Sequence, residues 1–276
     1  MGEWILRGRE YLELAAIELR AEAEAAIALS IGGAPKRYAH TDPNEDVALL
    51  VVREDGLLLA VADGHGGYEA AELALEAIRS WDSELPARIE GSADWSRLAL
   101  GAFALANQRI LANAVRGGRR RSRTTLAFAR VEQEAGAIRW ASIGDSHVFH
   151  AANGVLDLAR ARGHDPASQG GTFFLGVGKE TEASLADKCH IGEEHLADTQ
   201  ALVLATDGLS ERGIGVDEPA DTVATAVRCA ADLPPPERAT ALAQGVVEAA
   251  LAAHRKRRSG DNVAVAAAWL AALRAR

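Results

Sequence analysis

Four aspartates of this chain each stand where an apolar run begins or ends, and that placement constrains the fold more than any other feature. Asp46 lies in N-E-D, just ahead of the run Val47–Val52. Asp63 follows the run Leu57–Val61 and opens D-G-H-G-G. Asp207 follows the run Ala201–Ala205 in A-T-D-G-L. Asp261 precedes the run Val263–Leu270 in S-G-D-N-V. Short apolar runs of this kind read as strands buried on both faces. An aspartate at the tip of such a strand is poorly hydrated and needs a partner. Two of these aspartates end their strands and two precede theirs, so antiparallel pairing brings all four to one edge of a sheet. Four carboxylates gathered there repel strongly unless cations neutralise them. Hard divalent ions, which prefer oxygen ligands, are the economical answer.

The rest of the chain fits a globular protein. Its 276 residues are 48% hydrophobic and 25% charged, enough to bury a large core. The net charge of -9 argues against a general nucleic-acid partner. No apolar stretch approaches the roughly 18 residues of a membrane span. The start M-G-E-W-I-L-R-G-R-E has no long apolar segment, so no signal peptide is expected. Cys189 and Cys229 stand far apart in different contexts, so neither a disulfide nor a thiolate site is expected. A reducing, cytoplasmic setting follows.

Apolar residues among Glu and Arg suggest a helix over Glu3–Ala26. Residues 1–26 are thus expected to form a helical extension that packs on the remainder or binds a partner. Strands are expected at Ile27–Ile31, Val47–Val52, Leu57–Val61, Thr124–Val131, Ala137–Ile143, Val148–Ala151 and Val263–Leu270. Glu54-Asp55-Gly56 marks a hairpin turn. Helices are expected at Tyr68–Trp81, Trp95–Val115, Pro219–Ala231 and Pro236–His254. Arg116–Arg123 and Gly163–Gly178 read as loops. Strands in hairpins and helices in pairs favour antiparallel sheets covered by helices, an α+β class.

The ordered segments N-E-D (44–46), V-A-D-G-H-G-G (61–67), R-T-T-L (123–126), S-I-G-D-S-H (142–147), L-A-T-D-G-L (204–209) and S-G-D-N-V (259–263) resemble the metal-dependent Ser/Thr protein phosphatases of type 2C, the PPM class. The resemblance implies an αββα sandwich of two antiparallel sheets flanked by helices, formed by residues 27–273. It also implies two Mn2+ or Mg2+ ions at one edge. Asp63 would bridge both metals, the Gly64 carbonyl would bind one, and Asp207 and Asp261 would complete the ligands. Glu45 and Asp46 would hold metal-bound waters. Asn262 would support the ligands, and Asp145 would be a structural residue of the sheet. Two close ions acidify a water that attacks phosphorus in line. His65, next to Gly64, is the candidate acid for the leaving alkoxide. Phosphorylated proteins would be the substrates.

Two departures from the family pattern stand out. An arginine that grips the phosphate usually precedes N-E-D by a few residues; here His40 and Thr41 occupy that region and Arg37 lies further back. The phosphate contact would fall to these residues, with weaker binding or an altered substrate class. Arg120 stands near a position that is often acidic and binds a third metal, so two ions only are expected; Arg119–Arg123 could instead recognise phosphate. His147, His150, His164 and His190 have no partner at metal spacing and read as structural or exposed. Arg255–Arg258 reads as a solvated helix end. Two other functions compete: a phosphatase-like binding module, favoured by the altered phosphate loop, and a phosphatase of small metabolites.

Overall fold

Strand runs with no polar face need apolar cover on both sides, and the chain supplies it in four layers. The computed structural model describes residues 2–85, 89–117, 122–160 and 172–271. In chain order the strands are β1 (Gly2–Arg7), β2 (Glu18–Glu22), β3 (Ala25–Ser30), β4 (Val47–Val52), β5 (Gly56–Ala62), β6 (Gly64–His65) and β7 (Arg123–Thr124). They continue as β8 (Leu126–Glu132), β9 (Ala137–Ile143), β10 (His147–Ala151), β11 (Val155–Asp157), β12 (Cys189–His195), β13 (Ala201–Ala205) and β14 (Val263–Trp269). The helices are α1 (Glu69–Ser83), α2 (Gly91–Gly117), α3 (Glu182–Ala186), α4 (Pro219–Ala231) and α5 (Pro235–Arg257).

One six-stranded sheet has the order β1-β4-β5-β8-β9-β12 and the other β11-β10-β13-β14-β3-β2. Every pairing in both is antiparallel. Side chains alternate across each strand, and in the central strands both faces are buried. Leu49 and Val51 of β4 face α1 and α2, whereas Ala48 and Leu50 face the second sheet. In β14, Ala264, Ala266 and Ala268 face the first sheet, while Val263, Val265 and Trp269 face α4 and α5. The result is the expected αββα sandwich.

The helices obey the same arithmetic. Ala70, Ala71, Ala74, Leu75, Ile78 and Trp81 give α1 its buried face, and Glu69 and Glu72 favour its N-terminal end. Proline in its first turn starts α5. Its last turn is basic, and Arg258 closes it at φ 56 in the left-handed region. The reading of Arg255–Arg258 as a helix end therefore holds.

The N-terminal helix does not form. β1 is an edge strand of the first sheet against β4, and β2 an edge strand of the second against β3. Residues 2–22 therefore belong to the sandwich, not to a helical extension. Their Ala, Glu, Leu and Arg favour helix in isolation, and pairing with strands distant in sequence overrides that weak preference. Leu6 is fully buried between the sheets. The expected strand Thr124–Val131 is broken at Thr125, whose N–H donates to the Asp63 carbonyl at 3.0 Å. β11, β12 and α3 were not expected.

Phe128 anchors the layer under α1 and α2, with Trp81, Trp95 and Phe103 within 5.9 Å of its ring centre. Phe128→Ala should lower unfolding stability by about 3–5 kcal/mol, read by denaturant titration.

Candidate metal centre

Chain direction delivers the aspartates, but not to one sheet as the sequence suggested. Asp46 and Asp63 flank the β4–β5 hairpin of the first sheet. Asp207 follows β13 and Asp261 precedes β14, paired antiparallel in the second sheet. The centre therefore lies at one end of the sandwich, across the gap between the sheets. A threonine spans that gap: Thr206 Oγ1 donates to Asp46 Oδ2 at 2.7 Å and accepts from the Ala264 N–H at 2.9 Å.

Asp63, Asp145 and Asp207 each offer a carboxylate oxygen within 4.8 Å of the others. Asp145 was expected to serve the sheet framework. It lies instead past the end of β9, beyond Gly144 at φ 99, and joins the carboxylates. Its Oδ2 accepts from Thr172 Oγ1 at 2.5 Å. Its Oδ1 is buried with no hydrogen-bond partner, and Oδ2 of Asp63 has only the His65 ring beside it at 3.3 Å. Burial raises the Asp207 carboxyl well above its ordinary value, and Asp63, Asp145 and Asp261 push it further. Asp46 is raised in the same way, by burial first and Asp63 second. Burial also raises Asp63, against the opposing pull of His65. Buried carboxylates with oxygens left unpaired are what a hard divalent cation would satisfy, so the donor set fits Mg2+ or Mn2+.

Asp261 stands to one side. Its Oδ1 accepts from the Tyr38 hydroxyl and lies 3.4 Å from Lys36 Nζ. Asn262 is a cross-brace. Its Oδ1 accepts from the Glu45 N–H at 2.9 Å, and its Nδ2 donates to the carbonyls of Ile31 and Pro43. Glu45 is buried, with Oε1 accepting from the Asp42 N–H at 2.9 Å. Two glycines are fixed by close approach. A Cβ on Gly64 would meet the Glu45 carbonyl at 2.6 Å, and one on Gly208 the Asn262 carbonyl at 1.7 Å.

His65 Nδ1 lies 3.3 Å from Asp63 Oδ2, and its ring packs on Phe174. Burial alone would lower its pKa, but the pull of the Asp63 and Asp145 carboxylates raises it. A cavity of about 260 Å3 opens beside these groups, lined by Lys36, Tyr38, His40, Thr41, Glu45 and His65 among others. Of the phosphate candidates, His40 and Thr41 line it and Arg37 does not. Arg37 is exposed. The sequence reading missed Lys36 and Tyr38. Alternation along an extended segment puts residues 36 and 38 on one side and 37 on the other, but the path of the folded chain decides which side meets the cavity. Arg120, the third-metal argument and His164 lie outside the described residues.

A larger cavity, about 720 Å3, lies at the opposite end of the first sheet by Asp55, Glu132, Arg139 and Glu193. Its charges pair internally, Arg139 with Glu132 and Glu193. His147 and His150 serve the second sheet. Buried His147 bonds Asp157 at 2.6 Å and Ser210 at 2.6 Å, and His150 bonds Thr199 at 2.8 Å.

The protein phosphatase 2C family profile matches residues 35–246. No curated protein matches the sequence. Among solved structures, a bacterial serine phosphatase is 18% identical over 90% of this chain and 98% of its own, with a TM-score of 0.62. The catalytic domain of the phosphatase PstP, in complex with two manganese ions, is 20% identical over 92% and 98%, with a TM-score of 0.59. The Ser-Thr phosphatase MsPP of Mycobacterium smegmatis, in complex with cacodylate, is 23% identical over 89% and 97%, with a TM-score of 0.58. At these identities the likeness is one of fold.

His254 ties the centre to α5. It is fully buried, accepts from the Gly33 N–H at Nδ1 (3.2 Å) and donates from Nε2 to the Gly208 carbonyl (2.8 Å). Accepting at Nδ1 needs the neutral ring, and burial lowers its pKa from 6.5. A depressed histidine contributes stability that is complete above the unfolded value and lost as pH falls through the folded one. Wild type should exceed His254→Ala by about 1–3 kcal/mol at pH 7.5, and the gap should shrink below about pH 6.5, read by urea unfolding across pH.

Proposed function

Because the chain belongs to the protein phosphatase 2C family, we propose that it hydrolyses phosphoserine and phosphothreonine esters in proteins at the carboxylate cluster between its sheets. The observation that carries this reading is the largely buried cluster of Asp63, half-buried Asp145 and Asp207 beside an open cavity. Two divalent ions, Mn2+ or Mg2+, would be held by these three, with Asp46, Asp261 and the Gly64 carbonyl as flanking donors. That is the number of manganese ions in the PstP complex. When bound, such ions activate water and offset charge on the phosphoryl oxygens.

The chain's own groups do the rest. Thr206 holds Asp46, and Asn262 holds the loop that carries Glu45. Both fix the donors in advance, so little reorganisation is needed during reaction. His65 Nδ1 faces Asp63, which leaves Nε2 as the atom to protonate the leaving alkoxide. Neither cysteine serves as nucleophile: Cys189 and Cys229 are free thiols away from the cavity, and burial raises the Cys189 thiol above its ordinary value. Two free thiols also suit a cytoplasmic setting. No helix among the described residues is long and apolar enough to cross a membrane.

The test is hydrolysis of p-nitrophenyl phosphate and a phosphothreonine peptide with Mn2+ or Mg2+, with EDTA, and with Asp207→Asn. Turnover should require metal. Because loss of a residue that merely orients a ligand costs about 10–100-fold, Asp207→Asn should lose at least that. Folded, metal-loaded protein that turns over neither substrate would overturn the reading in favour of a binding module.

A further inference from the structure

We propose that Lys36 is the residue that binds the phosphoryl group in this chain, in the place left without an arginine before N-E-D. The inference rests on the phosphatase reading and names the group that holds its substrate. Lys36 is the one lysine or arginine among the described residues that line the cavity. The acidic groups there, Glu45, Asp63 and Asp261, would repel a phosphate, and the His65 ring is engaged with Asp63. An anionic ester therefore needs a cation on this wall in addition to any metal.

The geometry suits that use. The Lys36 side chain is 7% exposed, so its ammonium is fixed rather than free in solvent. Nζ donates to Asn262 Oδ1 at 2.6 Å and lies 3.4 Å from Asp261 Oδ1. An ammonium has three N–H donors. One is donated to Asn262 Oδ1, and among the described residues Nζ has no other hydrogen-bond acceptor, the Asp261 carboxylate being a charge partner only. The Tyr38 ring borders the ammonium at 5.3 Å. The Asn262 amide that locates Nζ also bonds the Glu45 N–H, Ile31 and Pro43, so the charge is anchored to the same frame as the carboxylates.

The rival groups are placed less well. Arg37 does not line the cavity, and His40 and Thr41 are exposed. His40 Nδ1 is engaged with the Tyr38 carbonyl at 3.0 Å. A lysine supplies a point charge without the two-pronged fork of arginine. The chain should therefore hold phosphate by charge, with looser control of its orientation.

The test is calorimetric titration of inorganic phosphate into Mn2+-loaded full-length protein, comparing wild type, Lys36→Met and Lys36→Arg. Mn2+ affinity and thermal unfolding are measured on each. Lys36→Met should weaken phosphate binding by about 10- to 100-fold, the loss expected for one charge-assisted contact, with Mn2+ affinity kept. Lys36→Arg should retain most of the binding and shows that the position tolerates replacement. Unchanged phosphate affinity in folded Lys36→Met would overturn the proposal. So would a parallel loss of Mn2+, because Lys36 would then act through the metal cage. Wild-type protein that binds phosphate through Lys36 but hydrolyses no ester would leave this contact standing and sink the hydrolase reading instead.

Discussion

Mutual repulsion of buried carboxylates is the constraint on which the rest of this structure depends. Two unit charges 4 Å apart near a protein surface oppose each other by about 4 kcal/mol. Asp63, Asp145 and Asp207 bring oxygens within 4.8 Å of one another, with Asp46 and Asp261 close by. A fold does not gather such groups for stability. It can tolerate them only where the surrounding frame is rigid and a counter-charge is available. Two antiparallel sheets with buried central strands supply the frame, and the gap between their ends supplies the place.

The frame is cross-linked at that end. Thr206 joins Asp46 to the second sheet, Asn262 joins the β14 approach to the N-E-D loop, and His254 joins α5 to Gly33 and Gly208. Each link replaces water at a buried polar group with one directed bond, which is why these residues are specific in type. Gly64 and Gly208 complete the pattern by letting two turns approach backbone closely. Lys36 provides, among the described residues that line the cavity, the one lysine on the open side of the cluster. Positive and negative groups therefore meet at the cavity wall, as an anionic ester lying against cation-binding carboxylates requires.

Much of this was legible in the sequence. Asp63, Asp207 and Asp261 were visible because each borders a strand-length apolar run and carries a Gly or Asn neighbour. The sandwich followed from strands buried on both faces. The N-terminus was illegible because Glu18–Glu22 has the composition of a helix and becomes a strand only through β3. β12, C-H-I-G-E-E-H, is a polar edge strand whose pairing with β9 has no local signature. Asp145 reads as a turn residue, and only the spatial return of β9 beside β8 brings it to Asp63. Nothing in the sequence separates Lys36 from Arg37, because which of two neighbouring side chains lines the cavity depends on the path of the folded chain.

Metal uptake tests the central claim most directly. Mn2+ titrated into metal-free protein should bind saturably and raise the thermal midpoint, as expected for a ligand that binds the folded state alone. Asp63→Asn should abolish both effects while remaining folded. Folded wild-type protein that takes up neither Mn2+ nor Mg2+ at millimolar concentration would contradict the account, because the carboxylates would then be tolerated without any counter-ion.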